Sequence, residues 1–538
     1  MRPETGGLGR LSRHRAALAV TVAGAAACAA LLAPTVAAAA RPNVILIQVD
    51  DMARSQMRAK IRERGRWQPA MPNLLRRVAR RGVELDRYYA SHPLCGPSRA
   101  SLLSGRATHN HGMRINAAPY GYPVWREGAS YGENLAVWLD RAGYRTAHVG
   151  KYMNGYGADL AEEVPPGWDR WVTPIREAGG GYYGVSLNVD GRVTPPIGDW
   201  KQRDRPGCRT VFYTQPGACL HSTDVYTGFA LKELGRAAAE RRPFFMQLDY
   251  NAPHDDGRLG PGPVPPARLK RLVGRVKPPA RPPDAPIPAA APWFIRRQEP
   301  LTGAMRAEIR ARHANEVVAL RAVDEGIGRI LGKLDRLGLA RRTFVLFVSD
   351  NGMFHGEHRI AYGKYLPQEP SARQPLLARG PGIPPGRRSR SSGSNLDLAA
   401  TVMAMAGARP GRPTDGRSLL GDLRHPRRVS RVPVLLEGFN GREPALPEPF
   451  LDGAGRQEPN QALVLQYTGL VAGRWKYVRY AYGDQELYDL ERDPGELRNL
   501  AWRRDMAPIA AWGRAQAERL AGCSGGACRL PVAAPRRP

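Results

Sequence analysis

After its first forty residues this 538-residue chain has no apolar run long enough to cross a membrane, so no later segment is expected to anchor it in a bilayer. Cysteine is scarce, six in all, too few for disulfides to stand in for the large core that a chain of this length can bury. Acidic residues are outnumbered 49 to 80 by basic ones, and the formal charge of +31 comes from arginine. Yet there is no dense basic block and no aromatic stripe interleaved with cations, which argues against nucleic acid as a partner. The arginines read as a solvated surface, and a charge of this sign favours polyanions such as sulfated glycans. No internal repeat is present.

What the first forty residues do contain is a leader. Arg2, Arg10, Arg13 and Arg15 form a basic start, Ala16 to Leu32 is apolar and alanine-rich, and Val36 to Ala40 offers a small-residue cleavage site. This pattern reads as a secretory signal peptide, which places the mature protein outside the cytoplasm or in the periplasm. The cysteines fit export. Cys28 falls in the leader and Cys95 is taken up below; Cys208 with Cys219 and Cys523 with Cys528 form two local pairs suited to short-loop disulfides. Four cysteines allow three connectivities, so the pairing stays open on spacing alone.

Four apolar segments read as buried parallel strands, each running into polar residues. Asn43 to Val49 meets Asp50-Asp51; Tyr144 to Val149 meets Gly150-Lys151; Phe244 to Tyr250 meets Asn251-Ala252-Pro253-His254; Thr343 to Ser349 meets Asp350-Asn351. Helical patterns lie between them at Leu74 to Arg81, Asn134 to Ala142 and Ala307 to Leu337. The alternation predicts an α/β fold with a mostly parallel central sheet flanked by helices, and such sheets bind ligands at the carboxyl ends of their strands. Residues 257–300 are proline-rich and read as a surface excursion. Past about residue 420, Leu463 to Leu470, Lys476 to Tyr480 and Glu486 to Leu490 read as short strands of a small antiparallel sheet with a flanking helix, and Arg529 to Pro538 as a frayed end. The division expected is a signal peptide over 1–40, a catalytic domain over 41–420 and a smaller subdomain over 421–538.

Asp50 and Asp51 stand where a strand ends and the chain turns, so neighbouring carboxylates can converge, and Asp350-Asn351 repeats the arrangement. Three carboxylates and an amide oxygen make an all-oxygen cage suited to Ca²⁺ or Mg²⁺. Alone, the Asp-Asp pair would read as a helix cap and Asp350-Asn351-Gly352 as a turn.

The stretch Cys95-Gly96-Pro97-Ser98-Arg99 resembles the signature of type I sulfatases, of the alkaline-phosphatase superfamily, and from Pro42 to about Gly421 the chain is similar to that family. Gly150 to Gly157, Val164 to Trp168, Phe244-Phe245-Met246 and Ala252-Pro253-His254 resemble the N-acetylglucosamine-6-sulfatase and extracellular heparan-6-O-endosulfatase branch. Glu486 to Leu490 with Asp493-Pro494 and Asn499-Leu500-Ala501 resembles a tail common to many sulfatases. The resemblance implies that a maturation enzyme oxidises Cys95 to formylglycine, whose hydrate attacks sulfur, expels the alcohol and collapses to release sulfate. Asp50, Asp51, Asp350 and Asn351 would bind the metal, with the modified residue 95 as a further ligand. Arg99 would hold the hydrate, Lys151 and Lys364 would grip the sulfate oxygens, and His254 would protonate the leaving oxygen.

Many arylsulfatases carry a histidine two residues after the lysine, where this chain has Met153, as the 6-sulfatase branch has an apolar residue. The base for collapse is thus unassigned, with His109 and His111 as candidates. Asn154 and His358 are candidate substrate contacts, and His355 a further pocket residue. The expected substrate is a sulfated carbohydrate, N-acetylglucosamine 6-sulfate by resemblance, or an aryl sulfate. The alternatives are a phosphonate monoester or phosphodiester hydrolase of the same superfamily, and a non-catalytic polyanion-binding protein, against which the intact residue set argues.

Overall fold

The four segments expected to be strands lie side by side. They are β1 (Asn43–Val49), β2 (Arg145–Gly150), β3 (Phe244–Asp249) and β4 (Thr343–Ser349), in the spatial order β4-β1-β3-β2, each pair parallel. Every residue of β1, β3 and β4 is buried. Continuous apolar runs of this kind need a covering layer on both faces of the sheet. Ile45, Ile47 and Val49 pack on one side with residues of α2 (Ser222–Glu240) and α3 (Gly303–Arg336), while Val44 and Leu46 join Leu102 and Leu103 of α1 (Cys95–Ser104) on the other. The computed structural model describes residues 41–175, 181–197, 220–240, 242–256, 262–279, 287 and 290–537 except 440–465.

The central four belong to an eleven-stranded mixed sheet. Leu376–Arg379 pairs antiparallel with β4, and Val83–Tyr89 pairs antiparallel with it in turn. The antiparallel part lies at the flank, so the four parallel strands deliver their carboxyl ends to one edge.

A second sheet is antiparallel, in the order β5 (Val434–Gly438), β6 (Tyr467–Ala472), β7 (Trp475–Tyr480) and β8 (Gln485–Asp489), with α4 (Ala507–Ala521) packed on it. Strand β5 was not among the segments expected. Residues Pro42–Pro538 form one compact unit that includes both sheets.

Two expectations are corrected. The proline-rich stretch is more than a surface excursion, because Leu269 and Leu272 enter the main core and Phe294 and Ile295 pack beneath the small sheet. The end of the chain is docked. Trp475 Nε1 donates to the Pro535 carbonyl at 2.8 Å, Val532 N to the Arg431 carbonyl at 2.9 Å, and Arg537 pairs with Asp489 at 3.1 Å. The tail is held by partners far from it in the chain: an indole N–H, a backbone carbonyl and a carboxylate.

Cys523 and Cys528 form a disulfide, whereas Cys208, Cys219 and the leader lie outside the described residues. Among the described residues no helix is long and apolar enough to cross a membrane.

Candidate active site

Residue 95 opens α1, a helix whose ten residues are all buried and which ends on Gly105 in the left-handed region. Its Sγ lies 3.4 Å from Asp50 Oδ1, 3.8 Å from Asp51 Oδ1 and 2.8 Å from Lys364 Nζ. Asp50 and Asp51 follow β1, and Asp51 takes φ of +66°, a left-handed turn that lets adjacent carboxylates face one centre. Asp350 follows β4. One oxygen from each of these three carboxylates falls within 4.8 Å of the others, and all three are buried.

The cations are interleaved with this cluster. Lys151, after β2, pairs with Asp50 at 2.5 Å, and Lys364 pairs with Asp51 at 2.5 Å. Arg99, one turn into α1, donates to Asp350 Oδ2 at 3.0 Å, to Asp50 Oδ2 at 3.4 Å and to the Lys151 carbonyl at 2.9 Å. Its planar guanidinium therefore ties three strand ends together. His254, after β3, places Nε2 3.6 Å from Asp51 Oδ2 while Nδ1 donates to the Asp255 carbonyl at 2.7 Å. Its side chain is 21% exposed, against 0–6% for the other charged members, so the cluster opens at His254.

Burial acts to raise the pKa of Asp50, but Lys151, His254, Arg99 and Lys364 outweigh it and hold that carboxyl well below its ordinary range. Asp350, buried and facing Asp50, is pushed up to about 7. Burial and then Asp50 push the Cys95 thiol well above its ordinary value. Burial, with Lys151, lowers His254.

Two buried oxygens in the cluster, Asp51 Oδ2 and Asn351 Oδ1, have no hydrogen-bond partner, although Asn351 Nδ2 donates to Asp51 Oδ1 at 2.7 Å. Unpartnered buried oxygens beside converging carboxylates fit a divalent cation. The group can hold a metal.

Supporting residues went unnoticed in the sequence. Asp249, the last residue of β3, lies 3.9 Å from Arg99 and accepts from Gln247 at 2.8 Å, with His148 Nε2 3.0 Å away. Asn395 donates to Ser98, and Gln374 donates to the Asp350 carbonyl. Asp249 was legible as another carboxylate at a strand end; Asn395 and Gln374 carried no local signal.

The remaining candidates have these surroundings. His109 is held by Glu437 Oε2 at 2.7 Å and the Cys523 carbonyl at 2.8 Å, and His111 by Ser101 Oγ at 3.0 Å and the Met113 amide. Each ring is thereby tied to groups on neighbouring segments. His355 is buried beside Glu316, and His358 has its ring against Phe354 and faces the Lys476 charge. Asn154 follows Lys151 by three residues and has a buried Oδ1 without a hydrogen-bond partner.

The sequence profile of the sulfatase family matches residues 42–408. The chain belongs to the sulfatase family. It is 28% identical over 545 residues to an arylsulfatase of Volvox carteri, covering 94% of this chain and 79% of that one. It is 27% identical over 513 residues to the N-acetylglucosamine-6-sulfatase of Homo sapiens, covering 91% and 86%. It spans only a third of an extracellular sulfatase SULF-1 homolog of Drosophila melanogaster, at 29% identity over 78% of this chain and 33% of that one.

The fold recurs in a protein solved with its substrate D-glucosamine-2-N,6-O-disulfate, with TM-score 0.67 and 22% identity over 89% of this chain and 97% of that one. It recurs also in a phosphonate monoester hydrolase from Silicibacter pomeroyi, with TM-score 0.61 and 21% identity over 89% and 95%. This sulfatase is a sulfuric ester hydrolase with an alkaline-phosphatase-like fold.

Proposed function

We propose that this sulfatase is exported, that Cys95 is oxidised to formylglycine by a maturation enzyme, and that the mature protein removes the 6-O-sulfate of a glucosamine unit in a sulfated sugar. The observation that carries the reading is the convergence of Asp50, Asp51, Asp350, Asn351, Arg99, Lys151, Lys364 and His254 around Cys95. A thiol buried against two carboxylates is kept protonated, which suits neither attack nor coordination of a hard cation. Oxidised to an aldehyde and hydrated, the same position supplies an oxygen nucleophile and a route for expelling sulfate that a serine ester lacks.

Asp50, Asp51, Asp350 and Asn351 would hold Ca²⁺, or Mg²⁺, and the ion supplies Lewis-acid neutralisation of the sulfate oxygens. Lys151 and Lys364, already aimed at the cluster, bind the remaining sulfate charge. Arg99, fixed by its three partners, orients the group at position 95. His254 keeps its Nδ1 proton on the Asp255 carbonyl, so Nε2 faces the cluster from its open edge. As the imidazolium, a form the negative charge of a bound sulfate ester favours, it would donate its Nε2 proton to the leaving oxygen and return to the neutral Nδ1–H ring.

The substrate reading rests on the likeness to N-acetylglucosamine-6-sulfatases; Asn154, three residues after Lys151, carries a buried amide oxygen with no hydrogen-bond partner. A panel of sulfated sugars, aryl sulfates and phosphonate esters, assayed for anion release, tests it. Glucosamine 6-O-sulfates are expected to have the highest kcat/KM, and Asn154→Ala to lose sugar cleavage more than aryl cleavage, because a pocket built to hydrogen-bond its substrate rejects analogues lacking the partner group. Preference for aryl or choline esters would remove the substrate assignment and leave the sulfatase intact. Export is checked by the mature amino terminus, expected near Ala40.

A further inference from the structure

Behind the loops that carry the carboxylates lies a buried cluster that sulfate-ester hydrolysis does not use. His313 and Glu316 sit one turn apart on α3, and His355 enters from the loop after Asn351; one ligand atom from each lies within 4.8 Å of the others, and all three residues are buried. Gln56, from the turn after Asp51, donates from Nε2 to Glu316 Oε2 at 2.5 Å, and His355 Nε2 is 2.5 Å from the same oxygen. The rings of His313 and His355 meet edge-on with centroids 5.5 Å apart.

His313 supplies the telling detail. One ring nitrogen bonds the Lys277 backbone, while Nδ1 is buried with no hydrogen-bond partner. An imidazole that donates one N–H to a carbonyl keeps a lone pair on the other nitrogen, the arrangement that stands behind metal-bound histidines. Leaving such a nitrogen unpaired in the interior is costly.

We propose that His313, Glu316 and His355 form a second metal site, distinct from the carboxylate cluster, that takes zinc. Two imidazoles and one carboxylate are a nitrogen-rich donor set suited to a borderline cation, whereas the Asp50, Asp51 and Asp350 set suits a hard one. Gln56 and the Lys277 carbonyl supply the outer hydrogen bonds. The ion's part is positional: it pins the loop after Asp51 and the loop after Asn351 to α3, and so fixes the backbone that carries the carboxylates. A plain buried Glu316–His355 ion pair is the competing account, and it gives His313 Nδ1 no task.

Because all three ligands are buried, the metal enters during folding, so the test compares full-length protein expressed in zinc-replete and zinc-depleted media. After exhaustive dialysis the zinc-replete protein is expected to retain about one zinc per chain. The Asp51→Ala/Asp350→Ala double variant is expected to retain the same zinc, while His313→Gln loses it and melts several degrees lower. Cobalt-grown wild type should show visible d–d bands that His313→Gln lacks. Absence of zinc from the wild type, departure of zinc with the aspartates, or a cobalt spectrum indifferent to His313 overturns the site. Should His313→Gln fail to fold, X-ray absorption at the zinc edge of the wild type decides. Imidazole nitrogens at about 2.0–2.1 Å support the proposal, and a shell of oxygens alone overturns it.

Discussion

At residue 95 the surroundings argue for chemistry that the encoded side chain does not have. A thiol 3.4 Å from one carboxylate oxygen and 3.8 Å from another is a poor thiolate, yet Lys364, Lys151 and Arg99 are assembled around it. Intact-peptide mass spectrometry of active protein is expected to find the residue-95 peptide about 18 Da lighter than its cysteine form, as conversion of a thiol to an aldehyde requires. Activity from wholly unmodified cysteine would refute that. Cys95→Ser should abolish turnover with the fold retained, checked by steady-state kinetics beside a melting curve.

The carboxylates give a second residue-level expectation. Asp51→Ala or Asp350→Ala removes one anion from the cage and weakens a hard cation. Either variant should lose activity by orders of magnitude and far more than it loses in Tm, because the cage binds the ion while the large core holds the fold. Exhaustive chelation of the wild type should reproduce the loss, and calcium or magnesium should restore it.

Among the elements, the carboxyl end of β2 leaves no room for a side chain. Gly150 has φ of +110°, and a Cβ there would sit 1.8 Å from the Asp249 carbonyl oxygen on β3. Any side chain must push β2 from β3 just where Lys151 reaches Asp50. Gly150→Ala is expected to destabilise by at least about 1–3 kcal/mol, the range for a backbone forced out of its preferred region, and to displace Lys151. Urea unfolding together with kcat/KM checks both. An active enzyme of unchanged stability would mean that β2 yields freely.

Across the whole molecule, His109 joins the catalytic core to the small sheet and to the disulfide loop, through Glu437 on β5 and the Cys523 carbonyl. Burial alone would lower its pKa, but the Glu437 carboxylate outweighs this and pushes it up to about 9 from 6.5. The folded state therefore binds the proton more tightly than the unfolded one. The stabilisation is complete below about pH 6.5 and is lost as pH rises through about 9, on the order of 3 kcal/mol in all. His109→Gln should flatten the dependence of Tm on pH across that window, and an unchanged slope would show that this contact does not govern it.

The sequence by itself determined the family, the four parallel strands and the residues around position 95, because each strand is a continuous apolar run ending in the polar side chains that converge there. Fully buried strands and strand-end ligands leave a local record, as Asn43 to Asp51 and Thr343 to Asn351 do. Only the tertiary structure decided the roles of residues whose partners are distant in the chain. His109 and His111 look like spare bases after the Cys95 motif, and only the fold shows that Glu437, 328 residues away, pairs with the first of them. The end of the chain reads as frayed until Trp475 and Arg431 offer it partners. His313, Glu316 and His355 have no joint meaning until α3 crosses behind the Asn351 loop. A hydrogen bond across hundreds of residues costs nothing in local pattern, so no local pattern announces it.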